Sequence, residues 1–418
     1  MLKMKYLLQS IFWISLVGLP FLTHGQLVPY PGLIEIPNPC REGGESNLFV
    51  DDRGVAWLSW VEFIDDSTDV LYCTWLEQGA WVPAREVARG NNWFVNWADF
   101  PSLAVFPGTG GQGLTAHWLQ KSAKGTFDYD IRISLSQDKG TTWTPSSVLH
   151  QDGIAAEHGF VTLAPIAPDR IRAVWLDGRH TKMEGDLADD AGHEGHHGTM
   201  SLRSAIFDPS GNILRDEELD PKVCDCCQTD AAIGPEGAVV VYRNRSDEEI
   251  RDIYVIREEN GGWSTPYPLH RDEWMIAGCP VNGPAISIRE KQAVVVWFSA
   301  AKGRPRVQAC FSRDHGKTFG KPIRVHSEIP IGRVDVEWLD AKTAAVTWME
   351  QRGDQAVIRL RKISTGGKAQ PAIDLMPSSA TRTSGFPILA KDAEGLLLST
   401  TEVGADAHTR IRTFRIKQ

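Results

Sequence analysis

Seven short apolar runs recur along the chain: VAWLSW ending at Trp60, LTAHW at Trp118, IRAVW at Trp175, AVVVY at Tyr242, AVVVW at Trp297, AAVTW at Trp348 and LLLST at Thr400. Their end points are separated by 58, 57, 67, 55, 51 and 52 residues. Each run is brief and rich in β-branched or aromatic residues, the signature of a buried strand.

The flanks repeat as well. A preceding run such as SNLFV, PSLAV, FVTLAPI, PAISI or FPILA is joined to its core run by a short connection; in three units this is a tight polar turn, Asp51-Asp52-Arg53-Gly54, Gly234-Pro235-Glu236-Gly237 or Asp392-Ala393-Glu394-Gly395. An alternating strand follows each core run, for example DVLYCTW, IRDIYVI or TRIRTFRI, and then a more polar fourth strand such as KPIRV or TPYPL. Units of about four strands without a helical pattern predict an all-β protein, a β-propeller of four-stranded blades. Seven blades is the count favoured here, and six is the alternative if one unit is degenerate. The seventh unit stops at Gln418 after its third strand, whereas LIEIP (Leu33 to Pro37) is a spare strand ahead of the first unit. That N-terminal strand is expected to close the ring and cover an open edge.

Strand parity then sorts the loops. In an up-and-down blade that begins with its innermost strand, the links between blades and the second-to-third strand loops emerge on one face. The remaining turns emerge on the other. The first face collects most of the chemically distinctive residues: Cys40, Glu45 and Asn47; Trp93, Trp97 and Asp99; Glu157 and His158; Cys224, Cys226, Cys227 and Gln228; Cys279 and Asn282; Arg333 and Asp335. The second-to-third loops add Asp177, Arg179, Arg243 and Arg245. Loops on a rigid scaffold commonly carry binding groups, and the blade openings should ring a concave channel mouth.

Composition narrows the setting. Lys3 and Lys5 precede an apolar run from about Tyr6 to Leu22, and Gly25 precedes Gln26. Residues 1–25 read as a secretory signal, leaving 26–418 as a single propeller domain exported to a periplasmic or extracellular compartment. No later stretch approaches the roughly 20 apolar residues of a spanning helix. The net charge of -9 argues against nucleic acid as a partner.

The chain has seven cysteines, an odd number. Cys73 and Cys310 fall within third strands and read as buried apolar residues. Cys40, Cys224, Cys226, Cys227 and Cys279 all fall at blade openings on one face. Disulfides suit an exported protein; a soft metal, copper or zinc, suits clustered thiolates; a redox-active thiol is the third possibility. The insertion 179–199 stretches its repeat to 67 residues and carries His180, His193, His196 and His197 among carboxylates, without the HExxH spacing of zinc proteases. It reads as a solvated flap or a loose metal-binding tract.

Two turns carry a recognisable sequence, Ser136-Gln137-Asp138-Lys139-Gly140-Thr141-Thr142-Trp143 and Ser312-Arg313-Asp314-His315-Gly316-Lys317-Thr318-Phe319. Both match the Asp box, S-x-D-x-G-x-T-W/F, and with the segments VCDCCQT, YRNRSDEEIRDIYV and AGCPVNGP the chain resembles bacterial secreted sialidase-like (BNR repeat) propellers. The resemblance implies a carbohydrate-directed role, glycoside hydrolase-like or glycan-binding. It also implies an arginine clamp on an acidic sugar, an Asp acid/base and a Tyr–Glu nucleophile pair. Sialidases have six blades and an Arg-Ile-Pro motif. This chain instead reads Cys40-Arg41-Glu42-Gly43-Gly44-Glu45-Ser46-Asn47 at the corresponding place, and shows no evident Tyr–Glu pair.

Position on the face makes Glu157, Asp177 and Arg243 the catalytic candidates. Glu45, Asn47, Trp97, Asp99, His158, Arg179, Arg245, Asn282, Arg333 and Asp335 are the candidates for contact with a glycan or other small ligand. The alternative is a non-catalytic propeller that binds a soft metal or a protein partner through its cysteine-bearing face.

Overall fold

The computed structural model describes residues 28–108, 111–182 and 198–417. They form seven antiparallel sheets arranged as the blades of a propeller, built on four strands, with a fifth, two-residue strand added in the first and fourth, Ala80–Trp81 and Gly262–Trp263. The first strands, which line the axis, are Gly43–Val50, Ser102–Gly108, His158–Ala167, Asp230–Gly234, Ala285–Arg289, Pro330–Trp338 and Ile388–Asp392. Each packs against the first strands of its two neighbours, and the seventh returns to the first, so the ring is complete. The signal-like segment 1–25 and most of the insertion, including His193, His196 and His197, lie outside the described residues.

The seventh blade takes its fourth strand from the other end of the chain. Leu33–Ile36 pairs antiparallel with Thr409–Ile416, with Leu33 opposite Ile416 and Ile36 opposite Thr413. Thr413 Oγ1 also donates to the Ile36 carbonyl at 2.6 Å. The exposed edge anticipated for an open ring is thereby paired.

The core consists of layers between adjacent blades. One cluster joins Trp57 and Trp75 of the first blade to Leu114 and Trp118 of the second. Another joins Val239 and Val241 of the fourth to Val295 and Trp297 of the fifth. The tryptophan period has a physical cause. Trp60, Trp175 and Trp348 are buried in their second strands, and each indole N–H donates to the buried acid two residues on: Glu62 at 3.2 Å, Asp177 at 2.8 Å and Glu350 at 2.9 Å. A large apolar ring is buried while its single polar hydrogen remains bonded.

The two Ser-x-Asp turns lie on the face away from the blade openings. Asp138 accepts from the backbone N–H and the hydroxyl of Thr142, at 2.8 and 2.6 Å. Asp314 does the same with Thr318, at 2.9 and 2.6 Å. Gly140 and Gly316 sit at φ of +79° and +73°, where a side chain would be strained. No helix among the described residues is long and apolar enough to cross a membrane.

Candidate functional site

Three of the first strands begin with the same backbone device. Registers shift between Gly44 and Asn47, between Gly159 and Thr162, and between Gly332 and Asp335. Within these bulges Glu45, Phe160 and Arg333 adopt positive φ, 59°, 55° and 52°. Bulges of this kind re-aim a side chain at a sheet rim, and the conformation is costly for residues other than glycine. Two of the three re-aimed residues, Glu45 and Arg333, are among those singled out from sequence.

Between the second and third blades, the structure brings Asp99, Glu157 and Tyr129 together. The Tyr129 hydroxyl lies 3.0 Å from Glu157 Oε1 and 3.2 Å from Asp99 Oδ2. Asp99 Oδ1 accepts the Phe160 amide at 2.7 Å. Tyr129 and Asp99 are buried, whereas Glu157 keeps partial access to solvent. Burial pushes Asp99 up to about 7. Glu157 is pushed well above the usual carboxylate range, first by burial and then by the nearby charges of Asp99 and Asp225 and by the Cys279 thiol. Burial and the two carboxylates likewise hold the Tyr129 phenol well above its ordinary value. A carboxyl raised in this way keeps its proton to higher pH than an ordinary one, as buried carboxyls do in acid catalysis. Tyr129 was missed in the sequence because it sits inside an alternating strand, Tyr129–Ser136, and looks like core.

A second cluster shares this corner. His158 Nε2 lies 3.0 Å from Asp152 Oδ2 and 3.7 Å from Asp177 Oδ1. Arg179 grips both oxygens of Asp177 at 2.8 Å and stands 3.2 Å from Asp152. Burial disfavours the charged imidazole, but Asp152 and Asp177 outweigh it and hold His158 above its ordinary value. Asp177 also experiences the opposing pull of burial, yet Arg179 and His158 hold it low. Two carboxylates and two cations thus satisfy one another. Asp177 occupies the place that Glu62 and Glu350 hold in their blades, beneath a buried indole.

The remaining arginines are engaged internally. Arg243 is buried and donates to the carbonyls of Arg251, Asn282 and Phe298 at 2.6, 2.7 and 2.9 Å, with its guanidinium over Trp274. Arg333 donates to Ser384 Oγ, Gly385 O and Thr381 O and covers the Trp97 ring, which stacks on Phe386. Burial lowers Arg333 to about 10. Arg245 pairs with Glu249 and Asp225. Arg243 and Arg333 are therefore committed to main-chain carbonyls and a serine hydroxyl, and Arg179 and Arg245 to ion pairs with neighbouring acids.

Further acids lie on the first strands. Asp230 and Glu337 are each pushed up to about 7 by burial, and Asp335 rises well above the usual range through burial and the charges of Asp230 and Glu337. Asp335 Oδ2 accepts the Leu389 amide at 2.7 Å, tying the sixth blade to the seventh. Glu45 is pushed up to about 7 by burial. Asn47 lies on the same first strand, opposite Ser59.

The cysteines separate into two places. Cys40 packs among Ile36, Leu48 and Ile411 where the seventh blade meets the first. Cys224, Cys226 and Cys227, in the link from the third blade to the fourth, hold their sulfurs within 4.8 Å of one another. Cys279, in the next link, is exposed and close enough to act on Cys226, outside the group of three. All seven cysteines are unbridged in this structure.

No protein-family model matches the sequence, and no curated protein matches it. Solved structures similar to this chain include a polysaccharide lyase PL25 ulvan lyase bound to -[GlcA(1-4)Rha3S]-, at a TM-score of 0.52 and 10% identity over 92% of this chain and 95% of that one. They also include an α-L-arabinanase of Penicillium chrysogenum, complexed with arabinobiose (TM-score 0.46, 12% identity, 94% and 99% covered). A Hadza microbial sialidase, Hz136, is similar at a TM-score of 0.42 and 12% identity over 73% of this chain, which spans only 63% of that protein. At such identities the likeness is one of fold.

Proposed function

We propose that the protein is an exported, carbohydrate-directed propeller whose ligand is received on the blade-opening face and meets Glu157. The observation that carries this reading is the Tyr129 hydroxyl between Glu157 and Asp99. It fixes a partly exposed carboxyl that burial and neighbouring charge keep protonated. The Glu157 and Asp99 oxygens can be no further apart than the two bonds laid end to end, within the roughly 10 Å over which paired carboxyls act in glycosidases. Glu157 is the group that would donate a proton to a departing glycosidic oxygen, and Tyr129 is its positioning residue. The fold-sharing ulvan lyase, whose structure holds an acidic saccharide, supports a sugar as ligand.

The test is a panel of neutral and acidic polysaccharides, read for new reducing ends and for unsaturated uronate, with wild type and Glu157→Gln compared. Turnover of one glycan that falls at least about 100-fold in Glu157→Gln, while its binding persists, is the expected outcome. Absence of both binding and turnover across the panel, or full turnover by the variant, overturns the proposal.

A further inference from the structure

The thiols of the third and fourth blade links form a group that the carbohydrate reading leaves unused. We propose that Cys224, Cys226, Cys227 and Cys279 form a thiolate site for a single soft d10 cation, Cu(I) or Zn(II), fastening together the links that open the fourth and fifth blades.

The spacing of the sulfurs is the first argument. Cys224 Sγ and Cys227 Sγ lie 3.8 Å apart, and the three clustered sulfurs all fall within 4.8 Å. A tetrahedral ion with metal–sulfur bonds of about 2.3 Å requires sulfur–sulfur edges of about 3.8 Å. Three sulfurs in one group can all serve a common ligand, whereas a disulfide would use only two of them.

The surroundings supply the second argument. The Asn282 amide points at Cys227 Sγ at 3.4 Å, and Arg251 Nη1 at Cys224 Sγ at 3.3 Å. The positive charge of Arg243 also acts on Cys227. Donors and cations converging on sulfur are what a metal-bound thiolate requires around it, since they orient the ligands and offset negative charge. Each coordinating thiol gives its proton to solvent, so no oxidant or reductant enters the step. Cys224 and Cys227 are buried and Cys279 is exposed, which makes Cys279 the ligand that can open. Thiolates select soft ions over calcium or magnesium.

The test uses the purified full-length protein, reduced and stripped with a chelator, then titrated without oxygen. Zn(II) is one arm, Cu(I) in competition with a chromophoric Cu(I) chelator is the second, and Co(II) serves as a spectroscopic probe of the unaltered chain. Expected are one ion per chain, a cobalt spectrum of tetrahedral thiolate type, and a loss of affinity of roughly 100-fold or more in Cys226→Ser and about 10-fold or more in Cys279→Ser. Cys73→Ser, whose thiol lies in the core of the first two blades, should bind as the parent does. The arm that retains its ion against the stronger competitor identifies the metal. Failure of the reduced wild-type chain to bind any of the three ions overturns the proposal. So does an equal loss of affinity in Cys73→Ser and Cys226→Ser. Because the cobalt reading needs no substitution, a variant that fails to fold does not obscure the result.

Discussion

The side-chain oxygen of Asn282 accepts the backbone N–H of Arg333 at 2.7 Å, joining the opening of the fifth blade to the bulge of the sixth. The same residue receives Arg243 on its carbonyl and directs its own amide at Cys227. Asn282→Ala should therefore cost about 1–3 kcal/mol, because the Arg333 N–H loses its side-chain acceptor in a buried place. Urea unfolding monitored by tryptophan fluorescence measures it, and an unchanged midpoint would show that the bond carries no weight.

Arg243→Lys bears on whether Arg243 serves the fold or the ligand. An ammonium cannot reproduce the planar fork that reaches three carbonyls and covers Trp274. A stability loss of about 2–4 kcal/mol is expected, with turnover per folded molecule nearly intact. A variant as stable as wild type but inactive would instead place Arg243 against the substrate.

Tyr129→Phe probes the proton-carrying carboxyl. The Tyr129 bond lowers both Glu157 and Asp99, against the larger upward push of burial. Its removal should raise them further, moving the alkaline limb of the kcat/KM profile to higher pH, with a rate loss of about 10-fold from lost positioning. A pH profile superimposable on that of wild type would remove Tyr129 from the mechanism.

Glu337→Gln reads the acids of the axis through stability. Glu337 titrates at about 7 in the folded chain against an ordinary 4.5, pushed up by burial first and the Asp230 charge later. Its contribution to stability is thus full below about pH 4.5 and is lost as pH rises to about 7. Glutamine keeps an acceptor for the Ser287 hydroxyl, which now bonds Glu337 at 3.1 Å. The variant should match wild type near pH 4.5 and exceed it at pH 8 by on the order of 1–3 kcal/mol. Unfolding curves at the two pH values decide it, and a gain equal at both would point to packing instead of charge.

The sevenfold architecture was legible because each blade repeats one buried tryptophan or its substitute at nearly constant spacing, and because LIEIP had no other place to pair. The grouping of Asp99 with Glu157 on one face was legible from strand parity. Tyr129 was not, since a tyrosine in an alternating strand looks the same whether its hydroxyl meets water or two carboxyls. Arg243 and Arg333 looked free to hold a ligand because sequence does not display the carbonyls that occupy them. Cys40 shared a loop class with the other blade-opening cysteines. Its neighbours Ile36 and Ile411 put it at the junction of the first and seventh blades, whereas Cys224, Cys226 and Cys227 gather in the link that opens the fourth.

The pairing of Leu33–Ile36 with Thr409–Ile416 also fixes an order of events. Thr413 and Ile36 stand 377 residues apart, so during synthesis the earlier strand must wait for the later one. Six blades can each form from contiguous chain as it lengthens, but the seventh needs two distant segments. A contact of such long sequence separation forms slowly and late. A chain that lacks Thr409–Ile416 would leave Leu33–Ile36 without its partner, a bare strand edge by which such a molecule differs from the closed ring.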